Sequence, residues 1–332
     1  MQNQENTQET NDFESRLDLQ PIKGQITALK DTLSQVVIGQ PAFINQMIIA
    51  LMARGHVLIE GVPGVAKTLA ARALAKSIDA RFNRIQFTPD LMPSDVIGTT
   101  VYNQKTQEFD LKKGPIFTQI CLIDEINRAP AKTQAALFEV MEEYQVSIDG
   151  NTLKLEEPFV VLATQNPIEH EGTYRLPEAQ LDRFMMKILV NYPDEADELS
   201  ILSMHQNSEG SDPLQNLKPL LKSIEITNFR KIIRKVTVSE SLLSYISKIV
   251  RSSRNFHGFY MGVSPRGAVA LLNASKACAV LDGRDFVTPD DIKYCALPVL
   301  RHRVMLSPEK EMEGAQPDEL LNTLIGQIEI PR

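Results

Sequence analysis

The sequence predicts an α/β protein: a phosphate-loop, three-layer αβα sandwich with a parallel sheet, followed by an all-helical lid domain. Three observations carry this. An apolar strand signal runs directly into the loop Gly61-Val62-Pro63-Gly64-Val65-Ala66-Lys67-Thr68 and then into a helix. Strand and helix patterns alternate from His56 to about Val190, as a parallel sandwich requires. Beyond Asp194 the strand signal fades and helical patterns dominate. The chain divides accordingly into a disordered polar tail over residues 1–20, the αβα domain over 21–192 and the lid over 193–332.

Residues 1–17 are polar and acidic with no apolar core, so they read as a disordered tail and not as a signal peptide. A helix is expected over 43–53, with Pro41 suited to its first turn. The apolar stretch from Ile44 to Ile59 is broken by Asn45, Gln46, Arg54 and His56, which excludes a membrane-spanning helix. A cytoplasmic protein is expected.

The run His56-Val57-Leu58-Ile59 reads as a buried strand, and Leu69-Ala70-Ala71-Arg72-Ala73-Leu74-Ala75 as a helix of strong helix formers. A loop between them turns successive backbone N–H groups toward one point, at a helix N-terminus whose dipole favours anions. Lys67 would neutralise nucleotide β/γ-phosphates, and the Thr68 hydroxyl would ligate Mg²⁺. Ala66 stands where the usual pattern has its second defined glycine. The reading requires a helical φ/ψ there, which accepts a methyl.

A second strand, Ile120-Cys121-Leu122-Ile123-Asp124-Glu125, ends in two adjacent carboxylates. Strand C-termini of a parallel sheet face the ligand crevice, so Asp124 would arrive beside Thr68 and hold the Mg²⁺ water shell. Glu125 would then orient and deprotonate an attacking water. A third strand, Phe159-Val160-Val161-Leu162-Ala163-Thr164, delivers Asn166 to the same edge, where its amide would meet the γ-phosphate or the water.

Two insertions interrupt the sandwich. Residues 98–111 alternate and turn as a hairpin does, and 146–153 carry an Asp149-Gly150 turn between alternating segments, a type I′ signal. Such hairpins either contact a client or cap the sheet. In the lid, helices are expected over 241–254, 266–281 and 289–303, the last with Thr288 as N-cap and Pro289 at its first position. Residues 206–212 read as a loop.

From about Ile22 onward the chain resembles the MoxR-type AAA+ ATPases. The resemblance rests on Asp124-Glu125-Ile126-Asn127-Arg128-Ala129-Pro130, on Ala163-Thr164-Gln165-Asn166-Pro167, and on Leu176-Pro177-Glu178-Ala179-Gln180-Leu181-Asp182-Arg183-Phe184. Ser264-Pro265-Arg266 and Val299-Leu300-Arg301-His302-Arg303 add a sensor-2 motif and a C-terminal motif. The resemblance implies that Asn166 is sensor 1, that Arg183 is an arginine finger given in trans to a neighbour's ATP, and that Arg266 is the sensor-2 arginine. It implies further that Gly39 and Gln40 pack against adenine, and that Arg128 or Arg175 lines a subunit interface. The catalytic set is thus Glu125, Asn166, Arg183 and Arg266. The nucleotide set is Gly39, Gln40, Gly61, Pro63, Gly64, Val65, Ala66, Lys67, Thr68 and Leu69, and the metal set is Thr68 and Asp124. ATP and Mg²⁺ are the implied cofactors. A ring oligomer, by family habit a hexamer, and a client protein or a von Willebrand factor A-domain partner are the implied partners.

Composition agrees. At 332 residues, 43% hydrophobic and 23% charged, the chain is large enough for two domains. A net charge of −7 argues against a broad nucleic-acid surface. In the first insertion Lys105, Lys112 and Lys113 are offset by Asp95, Glu108 and Asp110, which leaves no basic, aromatic stacking platform. The basic cluster Arg230, Lys231, Arg234 and Lys235 reads as a solvated helix face. Cys121, Cys278 and Cys295 lack C-x-x-C spacing, and His170-Glu171 lacks a second histidine, so a protein-bound zinc is not expected. A DNA-linked motor and an ATP-binding switch with little hydrolysis are the competing readings.

Overall fold

The computed structural model describes residues 18–166, 174, 176–207 and 212–331. The tail through Leu17, Arg175, the His170-Glu171 pair and residues 208–211 lie outside that description. In chain order the first part comprises α1 (Gln20–Val36), α2 (Pro41–Met52), β1 (Val57–Gly61), α3 (Lys67–Ser77), β2 (Phe82–Gln86), α4 (Pro93–Ile97) and the hairpin β3 (Gly98–Asn103) and β4 (Glu108–Lys113). It continues with β5 (Ile120–Asp124), α5 (Ala131–Glu143), the hairpin β6 (Gln145–Ile148) and β7 (Asn151–Lys154), β8 (Val160–Gln165), α6 (Glu178–Leu181) and β9 (Met186–Val190). The second part comprises α7 (Glu195–Asn207), α8 (Ser223–Arg234), α9 (Glu240–Ser253), β10 (Phe259–Met261), α10 (Pro265–Leu281), α11 (Pro289–Leu300), β11 (Met305–Leu306), α12 (Pro308–Met312) and α13 (Pro317–Gly326).

The main sheet has five strands in the order β2-β5-β8-β1-β9. All four pairings are parallel. Successive side chains of a strand point to opposite faces, and this splits the core in two. Val57, Ile59, Ile120, Leu122, Val160 and Leu162 pack with α1 to α3 and the lid helices. Leu58, Cys121, Ile123, Val161 and Ala163 pack with α5 and β6. Burial on both faces is why β5 reads as an unbroken apolar run, with every residue buried.

α1 shows the ordinary one-faced pattern, burying Ile22, Ile26, Leu29, Leu33 and Val36 at helical spacing. α2 differs, because Phe43, Ile44 and all of 47–52 are buried. A helix apolar nearly all round must be enclosed, and α2 contacts β9 on one side and α8 and α10 of the lid on another. One continuous hydrophobic cluster therefore joins sheet and lid.

Three expectations change. The lid is mainly helical but also holds an antiparallel pair, β10 with β11, too short to leave a strand pattern in the sequence. Arg230 is not on a solvated face: its side chain is buried, and Nε and Nη2 donate to Leu51 O of α2 at 3.0 and 2.8 Å. The first hairpin does present an aromatic pair, Tyr102 and Phe109, whose rings lie 5.3 Å apart and are 50% and 72% exposed. The 98–103/108–113 register makes those two residues direct cross-strand partners, which residue spacing alone did not reveal. The second hairpin turns at Asp149 and Gly150 with φ of 47° and 82°, the positive pair that type I′ needs.

Candidate functional site

The candidate residues fall at two edges of the sheet. At its C-terminal edge β1 ends in Gly61, where any Cβ would stand 2.6 Å from Val190 O of the neighbouring strand. Gly64 has φ +88° with open space around it, so backbone conformation alone requires glycine there. Ala66 also lies in the left-handed region, at φ 58° and ψ 21°. The helical conformation expected for it is overturned: Ala66 sits outside α3 as its N-cap, and its methyl is held at a steric cost.

α3 begins at Lys67, so Thr68 and Leu69 occupy its first turn, and its N-cap Ala66 makes no side-chain cap bond among the described residues. The first N–H groups of the helix face the loop, and no acidic residue stands in the first turn, the arrangement that suits phosphate. Pro63 and Gly64 are exposed at the crest of the loop and Val65 anchors it in the core. Lys67 Nζ donates to Gly61 O across the loop.

On β5, Asp124 is only 6% exposed. Its Oδ2 pairs with Arg84 Nε of β2, and its Oδ1 accepts from Thr164 Oγ1 of β8 at 3.1 Å. The same Thr164 hydroxyl accepts from the Glu125 N–H at 3.0 Å. Glu125 has φ 58° and ψ 54°, an unusual conformation for a residue with a side chain. There the strand breaks and Glu125 Oε2 meets Gln86 Nε2 at 2.6 Å and Arg128 Nε at 3.2 Å. Asn166 follows β8 immediately, one residue beyond the Gln165–Glu60 pairing with β1. Gln40 caps the start of α2 and donates from Nε2 to Asn191 O, just past β9, at 2.8 Å. Gly39, at φ +75°, lies against Asp197 of α7. The structure thus brings together at one edge Gly39, Gln40, the 61–69 loop, Asp124, Glu125 and Asn166.

Arg183 and Arg266 are elsewhere. β9 starts opposite Val57, and Met185 N–H donates to His56 O at 2.8 Å, so Arg183 lies at the N-terminal edge of the sheet. Five residues of strand put that edge about 16 Å from the phosphate loop. Arg183 Nε pairs with Glu142 Oε2 at 3.0 Å, and Arg266 Nη2 with Glu142 Oε1 at 3.1 Å. One carboxylate at the end of α5 thus gathers both arginines. Arg183 also sits over the Phe138 ring, 5.7 Å from its centroid.

His56 braces this edge. Its Nδ1 accepts from Val161 N–H at 2.9 Å, which leaves the proton on Nε2 to donate to Met141 O at 3.0 Å. Burial depresses its pKa to about 4, so the ring is neutral at neutral pH. Sequence reasoning gave no role to Arg84, Gln86, Thr164, Glu142 or His56. Gln86 and Thr164 left a faint signal, as polar residues at the ends of strands flanking the acidic one.

A phosphate loop joining strand to helix, an acidic pair ending the adjacent-but-one strand, and a helical lid packed on the same sheet define a nucleotide-binding ATPase of the AAA class. The model of the ATPase family associated with various cellular activities (AAA) matches residues 56–186, and that of the AAA lid domain matches 251–324. The uncharacterised protein YeaC of Bacillus subtilis is 46% identical, across 95% of this chain and 96% of its own. Chaperone MoxR1 of Mycobacterium tuberculosis is 40% identical, across 90% and 81%. A crystal structure from Cytophaga hutchinsonii, described only as a candidate ATPase, superposes with a TM-score of 0.88 at 42% identity, covering 95% of this chain and 97% of that one. The chain belongs to the MoxR group of AAA+ ATPases.

Proposed function

We propose that this protein hydrolyses ATP with Mg²⁺ as a ring oligomer, by family habit a hexamer, and spends the resulting lid and hairpin motion on remodelling or maturing a partner protein. The observation that carries the ring is the separation of the two edges. Arg183 lies about 16 Å of strand away from its own phosphate loop, beyond the reach of its side chain, so its guanidinium serves a neighbour's nucleotide.

Residues 61–69 wrap the phosphates through backbone N–H groups and Lys67, while Gly39 and Gln40 flank the base. A hydroxyl and a carboxylate, Thr68 and Asp124, form the hard-oxygen donor set that Mg²⁺ prefers alongside phosphate oxygens. When bound, the ion would neutralise phosphate charge. Glu125 accepts a proton from water as the water oxygen bonds to the γ-phosphorus. The bond from that phosphorus to the β–γ bridging oxygen breaks, and ADP and phosphate leave. Asn166 orients the water or the γ-phosphate. Gln86 and Arg128 hold the Glu125 carboxylate at the strand edge.

The remodelling role is supported by the relative named a chaperone and by the exposed first hairpin, which bears the Tyr102–Phe109 pair. A von Willebrand factor A-domain partner and a cytoplasmic site rest on family resemblance; among the described residues no helix is long and apolar enough to cross a membrane. Steady-state ATP hydrolysis against protein concentration, for wild type and Glu125→Gln, tests the reading. A specific rate that climbs with concentration and vanishes in the variant is expected. A flat rate, or an unchanged variant, overturns it.

A further inference from the structure

The motif Arg301-His302-Arg303, which lies in the lid after α11, has no place in the chemistry above, yet all three side chains reach one segment of the αβα domain. Arg301 Nη1 donates to Lys187 O at 3.2 Å, and His302 Nε2 to Phe184 O at 3.0 Å. Arg303 is 2% exposed and spends its guanidinium on the same stretch. Its Nε meets Asp182 Oδ1 at 2.6 Å, its Nη2 donates to Asp182 O at 3.0 Å and Phe184 O at 2.6 Å, and its Nη1 donates to Met185 O at 3.0 Å. A fourth lid residue, Ser264 at the start of α10, donates to Asp182 Oδ2 at 2.9 Å. Both carboxylate oxygens of Asp182 are therefore held by the lid, and so are the backbone carbonyls on either side of Arg183.

These bonds are a poor way to glue two domains that already share a hydrophobic core. They are an effective way to fix one peptide. A buried guanidinium with five N–H donors in a rigid fork defines the orientation of what it grips, and here it grips the residues before and after Arg183. By contrast the Arg183 side chain itself meets a Glu142 that is 37% exposed and lies over the Phe138 ring.

We propose that Asp182, clamped by Arg303 and Ser264, is a positioning residue for Arg183, so that the arginine travels with its own subunit's lid. The inference rests on the reading that Arg183 acts on a neighbour's ATP. Nucleotide-driven movement of one lid is then delivered as a displacement of the arginine at the next site, where an error of about 1 Å costs about 100-fold in rate.

The test is Asp182→Asn, assayed for ATP turnover, for affinity of a fluorescent ATP analogue, and in mixtures with Glu125→Gln; Arg183→Ala is carried in parallel. Expected is a fall in kcat of at least about tenfold with analogue affinity within about twofold of wild type. Mixing should restore turnover above that of either parent, because Glu125→Gln subunits offer a well-placed arginine to Asp182→Asn subunits that retain Glu125. Wild-type kcat in Asp182→Asn, or no recovery on mixing while Arg183→Ala does recover, overturns the positioning role. Failure of Arg183→Ala itself to lose turnover or to recover on mixing removes the reading beneath it instead. Should Asp182→Asn not fold, Ser264→Ala, which deletes one bond to the same carboxylate, decides: a fall in kcat at unchanged affinity supports the clamp, and an unchanged kcat overturns it.

Discussion

The two edges of the five-stranded sheet are built by opposite means. The C-terminal edge takes its chemistry from short contiguous runs: nine residues from Gly61 to Leu69, the pair Asp124-Glu125, and Asn166 directly after its strand. The N-terminal edge is assembled from the start of β9, the end of α5, the start of α10 and the segment after α11, segments that are distant in sequence and meet only on folding. One edge therefore gathers the phosphate loop and the acidic pair, and the other gathers Arg183 and Arg266 on a single carboxylate, Glu142.

Substitution at each edge sharpens the contrast. Lys67→Ala should weaken fluorescent-nucleotide binding by at least about 100-fold, since a charge-assisted contact to phosphate is lost at the loop itself. Arg183→Ala should keep that affinity and lose about 10³-fold in turnover, the scale of a transition-state guanidinium. Equal losses of affinity in both variants would erase the distinction between the edges.

Acid tests the brace beneath the second edge. His56 titrates at about 4 in the folded chain against 6.5 in the unfolded chain, and burial also lowers His302. The unfolded state binds more protons between those values, so the stabilisation is complete above pH 6.5 and is lost as pH falls toward 4. His56 alone should make the stability from urea unfolding roughly 2 kcal/mol lower at pH 5 than at pH 7, and His56→Asn should lose that part of the slope. Stability that is flat or rises on acidification would contradict the neutral ring inferred from its two hydrogen bonds.

The smallest expected effect lies at the first edge. Ala66 sits at φ 58°, which glycine tolerates at little cost. Ala66→Gly should stabilise the fold by about 0.5 to 1 kcal/mol, measured by denaturant unfolding, because relief of left-handed strain exceeds the added freedom of the unfolded chain. Destabilisation would mean that the methyl contributes packing that outweighs its strain.

Much of this was legible beforehand. The type I′ hairpin followed from Asp149-Gly150, the helix starts from Pro41 and from Thr288 before Pro289, and β5 from an unbroken apolar run. Ala66 was misread because a residue's φ/ψ at a helix entrance depends on where the helix starts, and α3 starts one residue later than a helical Ala66 requires. Gln86 was missed because its partner Glu125 is 39 residues away, and a polar residue at a strand end is too common a sign to single it out.

The sequence by itself determined the sandwich, the lid and the phosphate-loop motif, because periodicity, turn chemistry and loop–helix junctions are local and the loop's residues are contiguous. Only the tertiary structure decided which edge Arg183 and Arg266 occupy, and that Asp182 is gripped by Arg303 from 121 positions away. Strand direction and the packing of α10 and α11 set those distances, and a pairing made across such a separation imposes no pattern on the residues around either partner.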